Sequence, residues 1–400
     1  MGERVLTDVT TLALHGGPPA RPAPLPYAHQ TIEPDDLAAV GEALTADWIT
    51  QGPIVARFER ALAERAGVKH AVAVANGTAA LHAACSAAGL EPGDAVITTP
   101  LTFAATANAV VHRGAQPVFA DVDGATLNVS PDAVKRVATS RTRALLPVDF
   151  AGLPCEYDRL LPLAREHGWT VIADAAHSFG GASGGRPVGA LADLTTLSFH
   201  PVKLITTGEG GAVLTDRDDL AERLRAMRHH GIRYVDHARP WCYAIPEPGH
   251  NYRLTDFQSA LGLSQLGKLD RFWQRRDQLA HRYRERLGGS RFVELPALPQ
   301  EARHDWHLFV VLLRIERLAA DRDLILKSLR AENIGVTVHY PLVHRHPFYA
   351  ERFGYGAGLC PTAEAMEGRL VTLPLFPAMT EGDQDDVLHA LDKVFAYYAR

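Results

Sequence analysis

The residue of this chain best suited to covalent chemistry is a lysine with apolar neighbours. Lys203 lies between Val202 and Leu204, and the chain then enters the glycine turn Thr-Gly-Glu-Gly-Gly at 207–211. Removal from water disfavours the charged ammonium and lowers the pKa of an amine, which leaves a neutral nucleophile that can form an imine with a carbonyl carbon. The alternative is a side chain that extends to solvent, as lysines on apolar surfaces often do.

A carboxylate and a histidine follow a short apolar segment. Asp174 ends the strand-like run at 170–173, and His177 comes shortly after it. The carboxyl ends of parallel strands commonly carry ligand contacts. A carboxylate there could keep the nitrogen of a pyridinium ring protonated, so that the ring can absorb the electrons of a carbanion. The alternatives are a solvated aspartate at the end of a strand and a histidine that only packs.

A glycine turn before a helix could bind a phosphate group. Gly77-Thr78 stands between a strand-like run at 71–75 and an alanine-rich helix at 78–88. A helix N-terminus offers free N–H groups and a partial positive charge to an anion, and Ser198 could add a hydroxyl donor. The alternative is a tight turn with a threonine cap. We predict that the glycine-rich stretch at 180–189 is a turn linking two strands.

These residues require a framework of strands and helices to position them. From about Asp35 to His250 the two alternate, as in a parallel sheet covered by helices. A charge-rich helix at 256–287 leads out of this part, and the remainder has the pattern of a smaller α+β domain. We therefore predict a large domain over residues 1–250 and a small domain over residues 251–400. Further strands are predicted at 95–99, 116–120, 144–148, 307–315 and 336–340, and further helices near Phe103 and at 318–333 and 381–398.

The composition describes an ordinary globular chain and excludes several classes of function. The 400 residues are 46% hydrophobic and 22% charged with a net charge of -5, which argues against a nucleic-acid-binding surface. No apolar run reaches the length of about eighteen residues that a membrane helix needs, and Met1–Leu12 has no apolar leader, so we expect a cytoplasmic protein without a membrane partner. The cysteines lie far apart, which predicts buried reduced thiols and no metal site.

Taken together, several motifs resemble those of a known family. They are Asp-Ala-Ala-His at 174–177, Ser-Phe-His-Pro-Val-Lys at 198–203, Thr-Gly-Glu-Gly-Gly at 207–211 and Asn-Tyr-Arg-Leu-Thr-Asp at 251–256. In order and spacing they are similar to the DegT/StrS-type nucleotide-sugar aminotransferases, which are fold type I enzymes dependent on pyridoxal 5′-phosphate (PLP). The resemblance runs from about Leu25 to the terminal helix. It implies an α/β protein of the aspartate aminotransferase-like type, with a central, mostly parallel sheet of the seven-stranded kind and a smaller C-terminal α+β domain.

The resemblance implies a role for each residue that matches the family's motifs. Lys203 would form the Schiff base with PLP and act as general acid and base. Asp174 would pair with the pyridine nitrogen, and His177 would approach the ring hydroxyl. Asn251 matches a residue that reaches the phosphate from the neighbouring subunit, which implies a homodimer with shared active sites, and Arg253 matches one that holds the amino donor's carboxylate. The remaining cofactor contacts would be Gly77, Thr78, Ala79 and Ser198 at the phosphate and Phe103 stacked on the ring.

The implied reaction is a transamination in two halves. L-glutamate would convert PLP to pyridoxamine phosphate (PMP) and leave as 2-oxoglutarate, and a nucleotide-linked keto-sugar would then take the amino group. Family members that act at carbon 4 tend to read Phe-Ala-Gly or Tyr-Ala-Gly where this chain has Phe150-Ala151-Gly152. We therefore expect carbon 4 of a dTDP- or UDP-linked 4-keto-6-deoxyhexose to be the acceptor. The residues expected on the substrate side are Thr50 and Gln51 in the run Trp48–Pro53, His200, His339, Tyr340 and His344.

Several alternatives stay open. The branch that makes 4-amino-4,6-dideoxy sugars often reads Trp-Tyr-Tyr-Glu where this chain has Trp-Cys-Tyr-Ala at 241–244, so the sugar itself is not fixed. A carbon-3 keto-sugar or a keto-cyclitol would suit the same motifs. A PLP-dependent dehydratase of this family would have histidine in place of Lys203, and a noncatalytic regulator of this fold should lack one of the site residues. His200 and His339 could assist proton transfer, or could only pack or contact the nucleotide.

Overall fold

The computed structural model describes residues 11–235, Arg239 and residues 241–400. Residues 1–10, most of the segment assessed for a leader, lie outside the described residues. The helices within the described range are α1 (Pro34–Thr45), α2 (Pro53–Ala66), α3 (Gly77–Ala87), α4 (Ala104–His112), α5 (Pro131–Val137), α6 (Tyr157–His167), α7 (Asp218–Arg228), α8 (Asp256–Leu266), α9 (Leu269–Leu287), α10 (Arg322–Ala331), α11 (Pro347–Phe353), α12 (Pro361–Glu367) and α13 (Glu381–Tyr398). The strands in the same range are β1 (His70–Val74), β2 (Ala95–Thr98), β3 (Gln116–Phe119), β4 (Thr142–Leu146), β5 (Thr170–Asp174), β6 (Ala182–Ser183), β7 (Arg186–Pro187), β8 (Leu194–Ser198), β9 (Gly211–Thr215), β10 (Arg233–Tyr234), β11 (Tyr243–Ala244), β12 (Val293–Glu294), β13 (Ala302–Arg303), β14 (Phe309–Leu313) and β15 (Leu370–Leu373).

The central sheet has seven strands in the order β1-β9-β8-β5-β4-β2-β3. Strand β9 runs antiparallel to both of its neighbours, β1 and β8, and the other neighbouring pairs are parallel. Most residues of these strands are buried, because helices cover both faces of the sheet and leave no face for polar side chains. The prediction of an α/β fold with a mostly parallel sheet of seven strands is therefore confirmed.

The helix predicted at 256–287 is instead two helices. The helical conformation is interrupted between α8 and α9, at Gly267 and Lys268. At the break, the Nζ of Lys268 lies 2.7 Å from a carboxylate oxygen of Asp35 and 2.7 Å from one of Asp36, both at the start of α1. The sequence pattern missed the break because a single glycine is tolerated inside a helical pattern.

The start of α8 also fixes a loop that is distant in sequence. The carboxylate of Asp256 is buried and accepts hydrogen bonds from the backbone N–H groups of Gly52 (2.7 Å) and Ile54 (2.9 Å). Thr50 and Thr255 form an isolated antiparallel bridge beside these contacts. The loop before α2 and the segment before α8 therefore form one packed unit.

The C-terminal part has its own antiparallel sheet, in the order β12-β14-β15. Its hydrophobic cluster combines side chains of this sheet with those of α9, α10 and α13, and it also includes Leu12 and Leu25. The first described residues therefore pack with the C-terminal part. We retain the division into residues 1–250 and 251–400 as a proposal. The strand predicted at 336–340 is wrong, because Thr337 there forms only an isolated bridge with Thr372.

The cysteines match the prediction in part. Cys85, Cys155 and Cys360 are buried and unpaired, but Cys242 is only half-buried, since it adjoins the exposed strand β11. Among the described residues, no helix combines the length and the hydrophobicity that crossing a bilayer requires.

Glu332 and Lys393 form a buried ion pair between the end of α10 and α13. Their side chains are 0% and 5% exposed, and the Nζ lies 2.8 Å from Oε2. The Glu332 carboxylate also accepts hydrogen bonds from the N–H groups of Ala13 and Ala20, each at 2.8 Å, and Lys393 donates to the carbonyl of Pro18 at 2.7 Å. The pair thus anchors the start of the described chain to the C-terminal part.

We expect Glu332→Gln to lower the free energy of unfolding by about 3–5 kcal/mol, because it leaves a buried ammonium without its counter-charge. Urea unfolding would measure the change. The matched control is Glu316→Gln at an exposed position, which should change the stability by less than about 0.5 kcal/mol. Equal stabilities of the two variants would contradict the importance of the pair.

Candidate active site

A cavity of about 500 Å³ gathers most of the predicted site residues. It lies where β5 and β8 end and where α3 begins, and side chains of the C-terminal part complete its wall. The predicted residues that line it are Gly77, Thr78, Phe103, Asp174, His177, Ser198, His200, Lys203, His339 and Tyr340.

Lys203 reaches the cavity from the turn that follows β8. Its backbone N–H donates to the carbonyl of His200 at 2.9 Å, and its Nζ lies 3.4 Å from Nε2 of His307. Burial lowers the pKa of the Lys203 amine to about 8, and the negative charge of Asp174 opposes this shift. More of the amine is therefore neutral near pH 7 than for a lysine in water, which favours attack on a carbonyl group.

Asp174 faces the same cavity from the end of β5 and is 5% exposed. One carboxylate oxygen accepts a hydrogen bond from the Thr106 hydroxyl at 2.7 Å, and the other accepts one from the N–H of Ala176 at 3.2 Å. Burial raises the pKa of Asp174, whereas both hydrogen bonds and the positive charge of Lys203 lower it. The chain thus places an amine and a buried carboxylate in one cavity.

The N-terminus of α3 forms a cradle that suits an anion. Asn76 caps the helix, since its Oδ1 accepts the N–H of Ala79 at 2.8 Å. A Cβ added at Gly77 would lie 2.8 Å from the Cβ and 3.0 Å from the Oγ of Ser198, so glycine is needed for this close approach. Gly77, Thr78 and Ser198 line the cavity, but Ala79 is buried and does not. The cap therefore uses the N–H group of Ala79 that was predicted to bind phosphate.

Three aromatic side chains form one side of the cavity. The Phe103 ring is 61% exposed, and its centroid lies 6.0 Å from that of Tyr340. The Tyr340 hydroxyl lies 3.2 Å from Nε2 of His177. Burial lowers the pKa of His177 well below its usual range, and the charge of Lys203 adds to this effect. His177 is therefore a neutral imidazole at ordinary pH.

The residues present fit the cofactor that the sequence resemblance implies. Gly77 leaves open the space that a side chain would fill beside Ser198, which suits a phosphate at a helix N-terminus. Asp174 offers a buried carboxylate for a ring nitrogen, and Lys203 offers an amine. Within the described residues, the buried Nδ1 of His177 has no hydrogen-bond partner, so one polar atom of a residue that lines the cavity is unsatisfied.

We expect Gly77→Ala to weaken PLP binding by at least about tenfold, or 1.4 kcal/mol, because the new methyl group meets Ser198. Titration of the apoenzyme with PLP, followed by absorbance, would measure this. Gly41→Ala in α1 is the control, since a Cβ there meets nothing within 4 Å, and it should bind PLP as the wild type does. Wild-type affinity in Gly77→Ala would show that the cradle does not hold the phosphate.

Several of the predicted residues lie elsewhere in the chain. Gln51 and Arg253 line a second hollow of about 620 Å³, in which Nη1 of Arg253 lies 2.9 Å from Nδ1 of His229. Thr50 and Asn251 are exposed and do not line the first cavity. The structure therefore separates these residues from Lys203 of the same chain.

His344 and the turn at 150–152 also lie outside the cavity lining. His344 is fully buried, and its Nε2 lies 3.0 Å from a carboxylate oxygen of Glu364, so it does not line the cavity that contains Lys203. The turn, on which the expectation of carbon 4 depends, packs under His177: a Cβ at Gly152 would meet the His177 carbonyl oxygen at 2.8 Å. The turn supports a wall residue without lining the cavity itself.

Sequence reasoning missed several residues of the cavity wall. Glu209 lies inside the quoted motif Thr-Gly-Glu-Gly-Gly, so it could have been found there. Thr106 is in the first turn of the helix after Phe103 and binds Asp174, a pairing that no local pattern predicts. Thr102 directly precedes the predicted Phe103, whereas the fold brings in Tyr27 and His307 from distant segments.

Comparison with known proteins shows the same fold and the same family. Spore coat polysaccharide biosynthesis protein SpsC of Bacillus subtilis is 40% identical over 92% of this chain and 96% of its own length. The structure of PseC of Helicobacter pylori, an aminotransferase in pseudaminic acid biosynthesis, is 30% identical, covers 94% of this chain and 100% of PseC, and has a TM-score of 0.88. DesI, solved in the presence of its TDP-sugar product, is 34% identical over 98% of this chain and 97% of DesI, with a TM-score of 0.87.

The comparisons also establish the cofactor and the type of enzyme. Similar solved structures include PLP and PMP forms of a sugar aminotransferase. Residues 30–392 match the DegT/DnrJ/EryC1/StrS aminotransferase family, whose members depend on PLP. The match spans both the central sheet and the C-terminal part that completes the cavity. This chain belongs to the DegT/DnrJ/EryC1/StrS aminotransferase family and is a PLP-dependent sugar aminotransferase.

Proposed function

We propose that this enzyme transfers the amino group of L-glutamate to carbon 4 of a dTDP- or UDP-linked 4-keto-6-deoxyhexose, giving a 4-amino-4,6-dideoxy sugar. The observation that carries the proposal is that the Lys203 amine and the buried Asp174 carboxylate face one cavity. The likeness to DesI, solved with its TDP-sugar product, supports a nucleotide-linked acceptor. The support for carbon 4 is the resemblance of Phe150-Ala151-Gly152 to family members that act at that position.

The residues of the cavity would have different roles, which follow from the chemistry of their side chains. PLP, when bound, supplies a ring that withdraws electrons from the carbon that loses a proton. Asp174 would hold the ring nitrogen and favour its protonated form, and the α3 cradle with Ser198 would hold the phosphate. Lys203 would hold PLP covalently in the resting enzyme. Its freed amine would then take the Cα proton of the donor and pass it to the cofactor. In the second half of the reaction the amine would take a proton from the cofactor and deliver it to the sugar carbon that receives the nitrogen.

The remaining wall would hold the ring and the sugar. Phe103 would cover one face of the ring, and the neutral His177 would approach the ring hydroxyl. His200, His339 and Tyr340 would contact the sugar. Burial lowers the pKa of His339 to about 4, and the charge of Lys203 adds to the shift, so His339 would offer a neutral imidazole to sugar hydroxyls.

The position of amination can be tested directly. The enzyme would be incubated with L-glutamate and a panel of dTDP- and UDP-linked 4-keto and 3-keto sugars, and NMR would locate the carbon that carries the new amine. We expect nitrogen at carbon 4 of a 6-deoxyhexose. Amination at carbon 3, or a preference for a keto-cyclitol, would replace this assignment with one of the alternatives.

We further propose that the enzyme is a homodimer with shared active sites. Asn251 and Arg253 do not line the cavity of their own chain, so their proposed contacts with the phosphate and the donor carboxylate require a second subunit. The exposed position of Asn251 and the placement of Arg253 at an open hollow are compatible with such a reach. An Arg guanidinium suits a carboxylate because its N–H groups form a fork.

Mixing two inactive variants should restore activity if the sites are shared. Lys203→Ala and Arg253→Ala subunits, co-expressed with different tags, would form mixed dimers in which one site is intact. Each mixed dimer then has one intact site out of two, so the purified mixed dimers should have about half of the wild-type activity. The measurement is turnover of L-glutamate by doubly purified mixed dimers. Mixed dimers that are no more active than the parents would contradict the shared site.

A further inference from the structure

We propose that His307 is a positioning residue of the active site that holds the Nζ of Lys203 in both protonation states of the amine. The inference rests on the proposed function, because His307 acts through Lys203. Its Nε2 lies 3.4 Å from the Nζ. Among the described residues, no other hydrogen-bond partner of this Nζ is found. His307 therefore occupies the position from which the orientation of the amine can be controlled.

A neutral imidazole suits an amine that gains and loses a proton. In one tautomer its bare nitrogen accepts a hydrogen bond from an ammonium, and in the other its N–H donates one to a free amine. A carboxylate in the same place would favour the ammonium and keep the proton on it, and an apolar side chain would hold neither form. Burial lowers the pKa of His307 well below its usual range, and the charge of Lys203 lowers it further, so the neutral form is the one present.

The surroundings of His307 leave Lys203 as the hydrogen-bond partner of its imidazole among the described residues. The side chain is buried, and its ring centroid lies 4.3 Å from that of His177. Its other nitrogen, Nδ1, has no hydrogen-bond partner among the described residues. The contact with Lys203 is therefore the hydrogen bond in which the imidazole of His307 takes part.

A buried arginine fixes the backbone that carries His307. Arg276 in α9 is 1% exposed, and its Nη1 donates to the carbonyl groups of Trp306 (3.2 Å), His307 (3.3 Å) and Leu375 (2.9 Å). A buried charge is costly unless hydrogen bonds compensate it. Here the compensation comes from the peptide groups around His307, so the guanidinium and this segment stabilise each other.

The same segment is also attached to the turn beneath His177. The N–H of Asp305 donates to the carbonyl of Gly152 at 2.8 Å, and the N–H of Leu308 donates to that of Ala151 at 3.1 Å. His307 thus has main-chain hydrogen bonds on both sides, which restrict its position relative to the cavity. Such support is what a residue needs if it has to hold another side chain to within a fraction of an ångström.

His307→Phe and His307→Gln test the inference. Phenylalanine has a similar size but makes no hydrogen bond, whereas the amide of glutamine can both accept and donate. The assay is the half-reaction of the PLP-loaded enzyme with L-glutamate, followed by absorbance in a single turnover at several pH values. We expect the phenylalanine variant to react about 10–100-fold more slowly, with a shifted pH profile. The glutamate concentration for half-maximal rate should change by less than about threefold, since His307 does not bind the donor.

The comparison between the variants decides the role of the hydrogen bond. We expect His307→Gln to recover at least about tenfold of the lost rate. If His307→Phe fails to fold, His307→Asn is the second variant: its shorter amide should not reach Nζ, so it should remain slow. His389→Asn, at an exposed position on α13, is the matched control and should behave as the wild type.

The results separate this inference from the proposed function. A phenylalanine variant with the rate and pH profile of the wild type would overturn the role of His307, and so would a glutamine variant that is no faster than the phenylalanine or asparagine variant. Both outcomes leave the wild-type reaction intact. Failure of the proposed function would instead show in the wild type itself, which would not react with L-glutamate or would not link PLP to Lys203.

Discussion

Lys203→Ala should abolish turnover, with a loss on the order of 10⁴-fold or more in the half-reaction with L-glutamate. The alanine removes both the group that would hold PLP covalently and the base that would accept the donor's proton, and a residue with two such roles carries a large share of the rate. Among the described residues of the cavity wall, His177 and His339 are not ready substitutes for the amine, because hydrogen bonds to Tyr340 and Thr372 hold them. Single-turnover absorbance with added PLP would measure the remaining rate.

A second measurement on the same variant checks the covalent link. Borohydride treatment followed by peptide mass analysis should find PLP fixed at residue 203 in the wild type and nowhere in Lys203→Ala. Lys135→Ala is the matched control, because Lys135 is exposed on α5 and forms a surface ion pair with Asp132, which contributes little to stability. Substantial turnover in Lys203→Ala, or PLP fixed at another lysine, would refute the assignment.

Asp174→Asn should lower the rate of the same half-reaction by on the order of 10²–10³-fold. Asparagine keeps the shape of the side chain but removes the negative charge that would favour a protonated ring nitrogen. The charge is costly to bury, as the raised pKa of Asp174 shows, and the hydrogen bonds from Thr106 and Ala176 are the local compensation. PLP should still bind, because the phosphate cradle is unchanged.

The PLP content, read from the absorbance spectrum, and the single-turnover rate together distinguish the loss of the Asp174 charge from misfolding. PLP content should remain near that of the wild type while the single-turnover rate falls. Asp158→Asn, at an exposed position in α6, is the control and should retain both. Thr106→Val should show a smaller loss in the same direction, because it removes one hydrogen bond to the carboxylate and leaves its charge. A full rate in Asp174→Asn would mean that the carboxylate has no electrostatic role.

The parts of the fold that follow from local sequence could be predicted. The runs at 71–75, 95–99 and 116–120 became strands β1, β2 and β3 with ends shifted by only a residue or so, because runs this short between turns have the length of a strand and are too short for a typical helix. The terminal helix at 381–398 has the predicted bounds, since Thr380 and Asp383 form a capping box at its start. The strand expected at 336–340 failed because its pairing with β15 is limited to the single bridge between Thr337 and Thr372.

The candidate site was predictable where its residues adjoin a strand end or a helix start. Asp174, Ser198 and Gly77 are of this kind, because the topology of a parallel sheet brings such positions to one edge. His307 is different: it lies 104 residues from Lys203, and only the packing of the C-terminal part brings it to the amine. The sequence also could not show that the N–H of Ala79 donates to the capping side chain of Asn76. A phosphate and the Asn76 side chain are both possible acceptors for this one donor.

The hydrogen bonds of the buried Asp256 carboxylate limit which segments can be exchanged between this enzyme and its relatives. The carboxylate takes its hydrogen bonds from Gly52 and Ile54, so a loop transplanted alone around Gln51 would have to present the same donors at the same spacing. Exchanging the loop and the beginning of α8 as a pair keeps acceptor and donors from a single parent. Swaps of specificity should therefore be designed with two crossover segments, even though some two hundred residues of chain separate them.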